Sequence, residues 1–64
     1  MTKKEAGEAF RNETPVICNH KGMDVEYQKI SAVIFRKEGV FLELLDRCGR
    51  SVSIVTPAMV RVKE

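Results

Sequence analysis

Apolar residues recur at helical spacing in the first part of the chain and at strand spacing in the rest. Ala6, Ala9 and Phe10 stand three and four positions apart, which is typical of one face of an amphipathic helix. Proline at position 15 disfavours helical geometry in the residue before it. The pattern therefore predicts a helix within residues 1–13.

Two features favour a helix that starts close to the N-terminus. Thr2 and Glu5 have the Thr-x-x-Glu spacing of a capping box, in which each side chain bonds the other residue's backbone N–H. Met1 is placed to pack on Ala6 as a hydrophobic staple. A helix this short does not persist alone in water, so we expect it to lie against the remainder of the chain.

Beyond residue 14 the chain changes to segments with the alternation or composition of β-strands. They are rich in β-branched residues and are bounded by Pro, Gly, Asn or Asp. The five candidates are residues 15–19, 25–36, 40–46, 51–56 and 60–63.

The longest candidate, residues 25–36, carries apolar side chains on both of its faces. A strand that is apolar on both faces is covered on both, at least in part. The N-terminal helix is the one element left to cover the second face. We therefore expect Phe10 to dock near Val33 or Phe35.

Turn residues mark the connections between these strands. Residues 19–24 predict a loop in which Gly22 takes positive φ, and Gly49 suits the left-handed position of a hairpin turn. Pro57 removes a ladder donor and fixes φ, which predicts a single 3₁₀ turn over residues 57–59. Such a turn lets the last strand leave the direction of the strand before it and pair elsewhere.

This order of elements, from Thr14 to Lys63, resembles the Src-homology-3-like small barrel, in which a 3₁₀ turn separates the last two strands. We therefore predict a mainly β, five-stranded barrel, made from a strongly bent antiparallel sheet, with one N-terminal α-helix. The chain is then a single domain, with the helix in residues 1–13 and the barrel in residues 14–64. The alternative is an open, strongly bent antiparallel sheet with the same helix.

A second resemblance concerns the runs ISAVIFRKEG and LELLDRCGRSVSIVTPAMV. They are similar to short uncharacterised proteins of Gram-positive anaerobes, some of which are encoded in prophages and other mobile elements. The resemblance implies a biological setting but no activity.

Size and composition limit the functions available. A chain of 64 residues has room for one core, and its apolar fraction of 44% and charged fraction of 31% are those of a soluble globular domain. No apolar stretch has the length of a membrane span or the form of a secretory signal, so we expect a cytoplasmic protein. A barrel this small offers little concave surface, and we expect no enzymatic activity.

Cys18, His20 and Cys48 are the candidate ligands for a soft metal ion. Structural zinc normally takes four ligands, usually from paired Cys-x₂₋₄-Cys units, and this chain has two Cys and one His. We therefore expect no metal and no cofactor, with both thiols packed as small apolar groups and His20 facing solvent in a loop. Asp24 and Glu26 are more simply explained as a solvated loop edge than as a cation site.

Basic residues at two predicted hairpin tips and on the strands suggest nucleic-acid binding. A net charge of +2 allows such contact without arguing for it. If the two tips converge, phosphate would bind between them, whereas the interspersed acidic residues favour a merely solubilising role. The candidate contact residues are Lys29, Arg36, Lys37, Arg47, Arg50 and Arg61.

The competing hypothesis is a protein-interaction module or a small homo-oligomer. Ile17, Leu45 and Val55 are out of phase with the inward-facing residues and would leave an apolar patch. Src-homology-3 domains bind proline-rich segments through aromatic grooves, but the lack of Trp and the single Tyr, Tyr27, argue against that ligand here. The sequence favours protein–protein interaction, with a nucleic-acid-binding accessory protein of a phage or mobile element as the alternative.

Overall fold

The computed structural model describes residues 1–63 and has the mainly β architecture with one α-helix that the sequence predicts. The helix, α1, spans Lys3–Arg11. The strands are β1 (Val16–His20), β2 (Met23–Tyr27), β3 (Lys29–Arg36), β4 (Gly39–Leu45), β5 (Val52–Val55) and β6 (Val60–Val62). The predicted 3₁₀ turn is confirmed over Pro57–Met59. No helix within residues 1–63 is long and apolar enough to cross a membrane.

The helix starts as its first residues predict. The Thr2 hydroxyl accepts the Glu5 backbone N–H at 3.1 Å, and the Glu5 carboxylate accepts the Thr2 backbone N–H at 3.0 Å. These two bonds complete the capping box and satisfy donors that the first helical turn leaves unpaired. The bond from the Thr2 backbone also lowers the pKa of the Glu5 carboxyl.

Two three-stranded antiparallel sheets form the β part of the molecule. The first sheet has the strand order β2-β1-β6, and the second sheet has the order β3-β4-β5. Val16, Ile17 and Cys18 of β1 pair with β6, so the last strand joins the first sheet instead of continuing beside β5. This pairing confirms that the 3₁₀ turn redirects the chain.

The prediction of five strands is wrong, because the single strand expected over residues 25–36 is two strands. β2 pairs with β1 in the first sheet, and β3 pairs with β4 in the second. Gln28 lies between them and donates its backbone N–H to the Leu45 carbonyl at 2.9 Å. Tyr27 and Ile30 are both buried although they stand three positions apart, which the two-residue period of a straight strand does not allow. The chain bends at Gln28, so the apolar residues before and after the bend enter the core from different sheets.

Residues 19–24 form a tight hairpin turn and not the predicted loop. Only Lys21 and Gly22 lie between β1 and β2, and their φ values are 52° and 88°. Positive φ at both central residues matches the twist of the flanking strands. The Asn19 side-chain oxygen accepts the Gly22 backbone N–H at 3.0 Å and fixes the turn. The positive φ predicted for Gly22 is therefore confirmed.

The core lies between the two sheets and beneath α1. The helix packs against β3, as predicted, but its buried residues are Ala6 and Ala9, while Phe10 remains 40% exposed. Small side chains allow the helix to approach closely, so Phe10 lies at the rim of the contact and not under it. Each fully buried aliphatic side chain contributes about 1.5–3 kcal/mol relative to exposure. The largest fully buried side chains are Val16, Cys18, Ile30, Leu42 and Leu44.

Candidate interaction surfaces

The two basic hairpin tips lie at opposite ends of β4. Arg36 and Lys37 come just before this strand, and Arg47 and Arg50 come just after it. A strand of seven residues spans about 20 Å at about 3.3 Å per residue. The convergence on which a shared phosphate site depends is therefore absent.

Carboxylates hold three of the six candidate phosphate contacts in ion pairs. These pairs are Lys29–Glu13 at 3.0 Å, Arg47–Glu26 at 3.6 Å and Arg61–Asp24 at 2.6 Å. The Arg36 guanidinium lies 5.9 Å from the centre of the Phe41 ring, a cation–π distance. Lys37 and Arg50 take part in no ion pair within residues 1–63. The six candidate residues are thus dispersed over the surface, and three of them are neutralised by carboxylates.

A network of charges covers the outer face of the first sheet, and we term it the charged face. Its members are Asn19, Asp24, Glu26, Arg61 and Lys63. Arg61 donates to both carboxylate oxygens of Asp24, at 2.6 and 3.3 Å, and Asn19 donates to one of them at 2.9 Å. These bonds, from Arg61 first and Asn19 second, lower the pKa of Asp24 from 3.8 to about 2. The Lys63 ammonium, 2.9 Å from Glu26, lowers the pKa of that carboxyl. Each charge on this face has a partner within it.

The two thiols and the histidine do not form a metal site. Cys18 is fully buried, and burial raises the pKa of its thiol, whereas Cys48 is exposed in the turn between β4 and β5. The expectation that Cys48 packs in the core is therefore wrong. His20 is half-buried on β1 and not in a loop, because the hairpin turn begins only after it. Within residues 1–63, no three His, Cys, Asp or Glu side chains are placed to hold a metal ion.

Tyr27 forms a polar link between the two sheets. Its hydroxyl donates to Ser53 Oγ on β5 at 3.4 Å and lies 3.0 Å from Nε2 of His20 on β1. Tyr27 is 7% exposed, so its ring belongs to the core and is not a surface for a proline-rich ligand. In the sequence, this link is indicated only by the position of Tyr27 within the apolar strand predicted over residues 25–36.

The apolar patch predicted from Ile17, Leu45 and Val55 is not present. Val55 is buried opposite Leu42, because residues 53 and 55 of β5 face inward, and the other two residues are half-buried. The large apolar side chains that are exposed are Phe10, Met23, Val25, Phe35, Val52, Ile54 and Val62.

Apolar side chains instead occupy most of the outer face of the second sheet, opposite the core. We term it the apolar face. Strand register places Ile34 opposite Phe41 and Leu45 opposite Val52. Between these pairs, Ile54 lies opposite Glu43, whose carboxylate accepts the Ser31 hydroxyl at 2.7 Å. Val52 and Ile54 are each 49% exposed. This face keeps a substantial part of its apolar area in contact with water.

The free edge of β5 borders the apolar face. Four strands, β2, β3, β5 and β6, have a neighbour on one side only. β2, β3 and β6 carry charged residues, α1 packs against β3, and β3 contains a bulge between Ile30 and Ala32. β5 consists of Val, Ser, Ile and Val and has none of these protections. A groove of about 550 Å³ follows this edge, lined by residues that include His20, Phe41, Ile54 and Met59.

A second groove, of about 510 Å³, lies between α1 and the end of the β3–β4 hairpin. Phe10 lines it from α1, and Val33, Phe35 and Val40 line it from the β3–β4 hairpin. The predicted closeness of Phe10 to Val33 and Phe35 is confirmed, but the three side chains line an open groove and do not form a closed contact. We term this the helix groove.

Comparisons with known proteins give no guide to what these surfaces bind. No protein-family model, no curated protein and no solved structure matches the chain.

Proposed function

We propose that this protein is a non-enzymatic protein-interaction module that associates with further copies of itself. The contact is made through the free edge of β5 and the adjoining apolar face. The observation that carries the proposal is the free edge of β5, a strand without charge or proline in which Val52 and Ile54 are half-exposed. Unprotected edges of this kind pair with another chain, because their backbone N–H and C=O groups lack partners.

The architecture that we propose for the module is a Src-homology-3-like small barrel. Two crossings between the sheets support it. The first is Gln28, which joins β2 of the first sheet directly to β3 of the second. The second is the 3₁₀ turn over Pro57–Met59, which carries the chain from the second sheet back to the first. In such a barrel the two sheets would act as one curved layer, with β5 and β6 at its ends.

Association through β5 would remove apolar side chains from water at a place where the isolated chain cannot. Full burial of an aliphatic side chain contributes about 1.5–3 kcal/mol, and Val52 and Ile54 begin half-exposed. A domain of this size has a small core and gains a large share of its stability from any interface. A cytoplasmic location, which we also propose, would keep both free thiols reduced.

The alternative, a nucleic-acid-binding accessory protein of a phage or mobile element, is less well supported by the geometry. It would depend on Arg36, Lys37 and Arg50, which form no ion pairs within residues 1–63 but lie at opposite ends of β4. Phosphate contacts hold a protein in register when several act on one backbone path. These three side chains do not share one.

Sedimentation velocity over a wide range of protein concentration tests the proposal. We expect the wild type to associate and Ile54→Lys to remain a monomer, because a lysine on an edge strand opposes pairing. Met23→Lys is the matched control, since Met23 is 70% exposed on β2, an edge that already carries charge. This control is expected to associate as the wild type does.

Two results would overturn the proposal. One is a wild type that stays monomeric at every concentration, and the other is an Ile54→Lys variant that associates like the wild type. Salt-dependent binding of DNA or RNA by a monomeric wild type would favour the alternative.

A further inference from the structure

We infer that the helix groove is a second binding site, which takes an acidic peptide segment carrying large apolar side chains. The groove lies beside α1 and β3, whereas the proposed self-association uses β5, at the opposite edge of the second sheet. The two proposals therefore depend on different residues. The groove is lined by Lys3, Gly7, Phe10, Arg11, Ala32, Val33, Phe35 and Val40.

The first argument is the pair of aromatic rings that the fold does not bury. Phe10 is 40% exposed and Phe35 is 76% exposed, and they line the same groove. Aromatic side chains bring the largest apolar areas to an interface, and apolar anchors in a pocket carry most of the energy of binding. A large apolar side chain bound in the groove would reduce the exposure of these rings.

The second argument is the glycine in the middle of α1. Gly7 destabilises the helix by about 1 kcal/mol relative to alanine. The fold does not require it, because an added Cβ would meet only the Arg11 Nη1 atom, at 3.7 Å, an ordinary contact distance. Gly7 lines the groove, and because it has no side chain, it leaves the groove open on the side of the helix.

The third argument is charge. Lys3 and Arg11 line the groove and form no ion pair within residues 1–63, and no described acidic residue lines it. The arrangement differs from the charged face, where each ammonium or guanidinium has a carboxylate. Two unpaired cations flanking an apolar groove are complementary to an apolar segment with acidic neighbours.

The open shape of the groove selects a peptide over a small molecule. Small-molecule sites enclose most of the ligand surface, and a ring that is three-quarters exposed, such as Phe35, encloses little. A chain segment laid along α1 and β3 would contact Phe10 and Phe35 together. Apolar side chains at intervals along an amphipathic segment are the usual anchors in a groove of this kind.

Selection of a random-peptide phage library on the folded, immobilised protein tests the inference. We expect the wild type to enrich peptides in which Asp or Glu flanks Phe, Leu or Trp. Gly7→Leu should reduce recovery of these peptides on the order of tenfold, because its side chain occupies the groove that the anchor needs. Gly7→Ala is the matched control, since its methyl group leaves the groove open and should retain binding while raising the melting temperature.

Charge reversal supplies an independent readout. The double variant Lys3→Glu with Arg11→Glu should enrich peptides with Lys or Arg in place of the acidic residues. Ile54→Lys should bind the original peptides normally, so failure of self-association and failure of this inference are distinguishable.

Three results would overturn the inference. The first is a wild type that enriches no acidic, apolar consensus, and the second is equal recovery by a folded Gly7→Leu variant. The third is loss of self-association in the Gly7→Leu variant while the wild type associates. That result would assign the groove to a second copy of the chain.

Discussion

The two sheets have the same number of strands and share one core, but the outer face of the second sheet is much more apolar than that of the first, although it includes Glu43. The outer face of the first sheet is the charged face, on which Asp24 and Glu26 are bound by Arg61 and Lys63. The outer face of the second sheet is the apolar face, which leaves Ile54 half-exposed at an unprotected edge. One face satisfies its groups internally, and the other leaves apolar area and backbone groups for a partner.

This difference indicates that the paired charges of the charged face serve to keep the protein soluble and not to bind a ligand. Exposed ion pairs contribute little to stability, yet they occupy cations that a phosphate would otherwise attract. Arg61 is an example, because the sequence suggests a phosphate contact and the structure places it on Asp24. Unsatisfied groups, more than charged ones, mark the surfaces that are free to bind.

The largest effect is expected from comparing a substitution at a buried position of the second sheet with one at an exposed position. Leu42→Ala should lower the free energy of unfolding by about 2–5 kcal/mol, because Leu42 is fully buried and its loss leaves a cavity. Ile54→Ala should lower it by roughly 1 kcal/mol or less in the dilute protein, because Ile54 already has half its surface in water. Urea denaturation at low protein concentration measures both. Equal losses would mean that Ile54 belongs to the core, and the comparison of faces would fail.

A smaller effect is expected at the polar link between the sheets. Tyr27→Phe should lower the free energy of unfolding by about 0.5–1.5 kcal/mol, because it removes the hydroxyl shared by His20 and Ser53. Ser53→Ala should cost less, since its bond to Tyr27 is longer, at 3.4 Å against 3.0 Å for His20. The same urea titration checks the result. An unchanged free energy of unfolding in Tyr27→Phe would contradict the arrangement.

The smallest effect is expected on the charged face, as a pH dependence. Folding lowers the pKa of Asp24 from 3.8 to about 2, so its contribution to stability is complete above the ordinary value and is lost as pH falls through about 2. Asp24→Asn should therefore flatten the decline of melting temperature over that acidic range. Glu38→Gln, at a hairpin tip and without an ion pair within residues 1–63, is the control and should leave the slope unchanged. Identical slopes for Asp24→Asn and wild type would show that the bond to Arg61 is not formed in solution.

Local chemistry made part of the fold predictable from the sequence. Thr2 and Glu5 specify the helix start through their own side chains, and Pro57 specifies the 3₁₀ turn through its fixed φ. These signals act within a few residues, so tertiary contacts do not change them. The same turn predicted that the last strand leaves the direction of the strand before it, but its pairing with β1 was not predicted.

The missed features depend on long-range packing. The bend at Gln28 has no Gly or Pro to mark it and arises because Tyr27 and Ile30 both enter the core. The burial of Val55 depends on which face of β5 meets Leu42, which alternation alone leaves undecided. The candidate surfaces were missed for the same reason, since neither the β5 edge nor the helix groove exists until strands far apart in the chain are assembled.

Hydrogen exchange of the β5 backbone amides at low and high protein concentration tests the central claim most directly. If β5 is the contact between copies, the amides of Val52–Val55 that point away from β4 gain protection as concentration rises, while those on the outer edge of β2 do not. Exchange rates in β5 that are independent of concentration, in a sample that sedimentation shows to be associated, would place the contact elsewhere and contradict the claim.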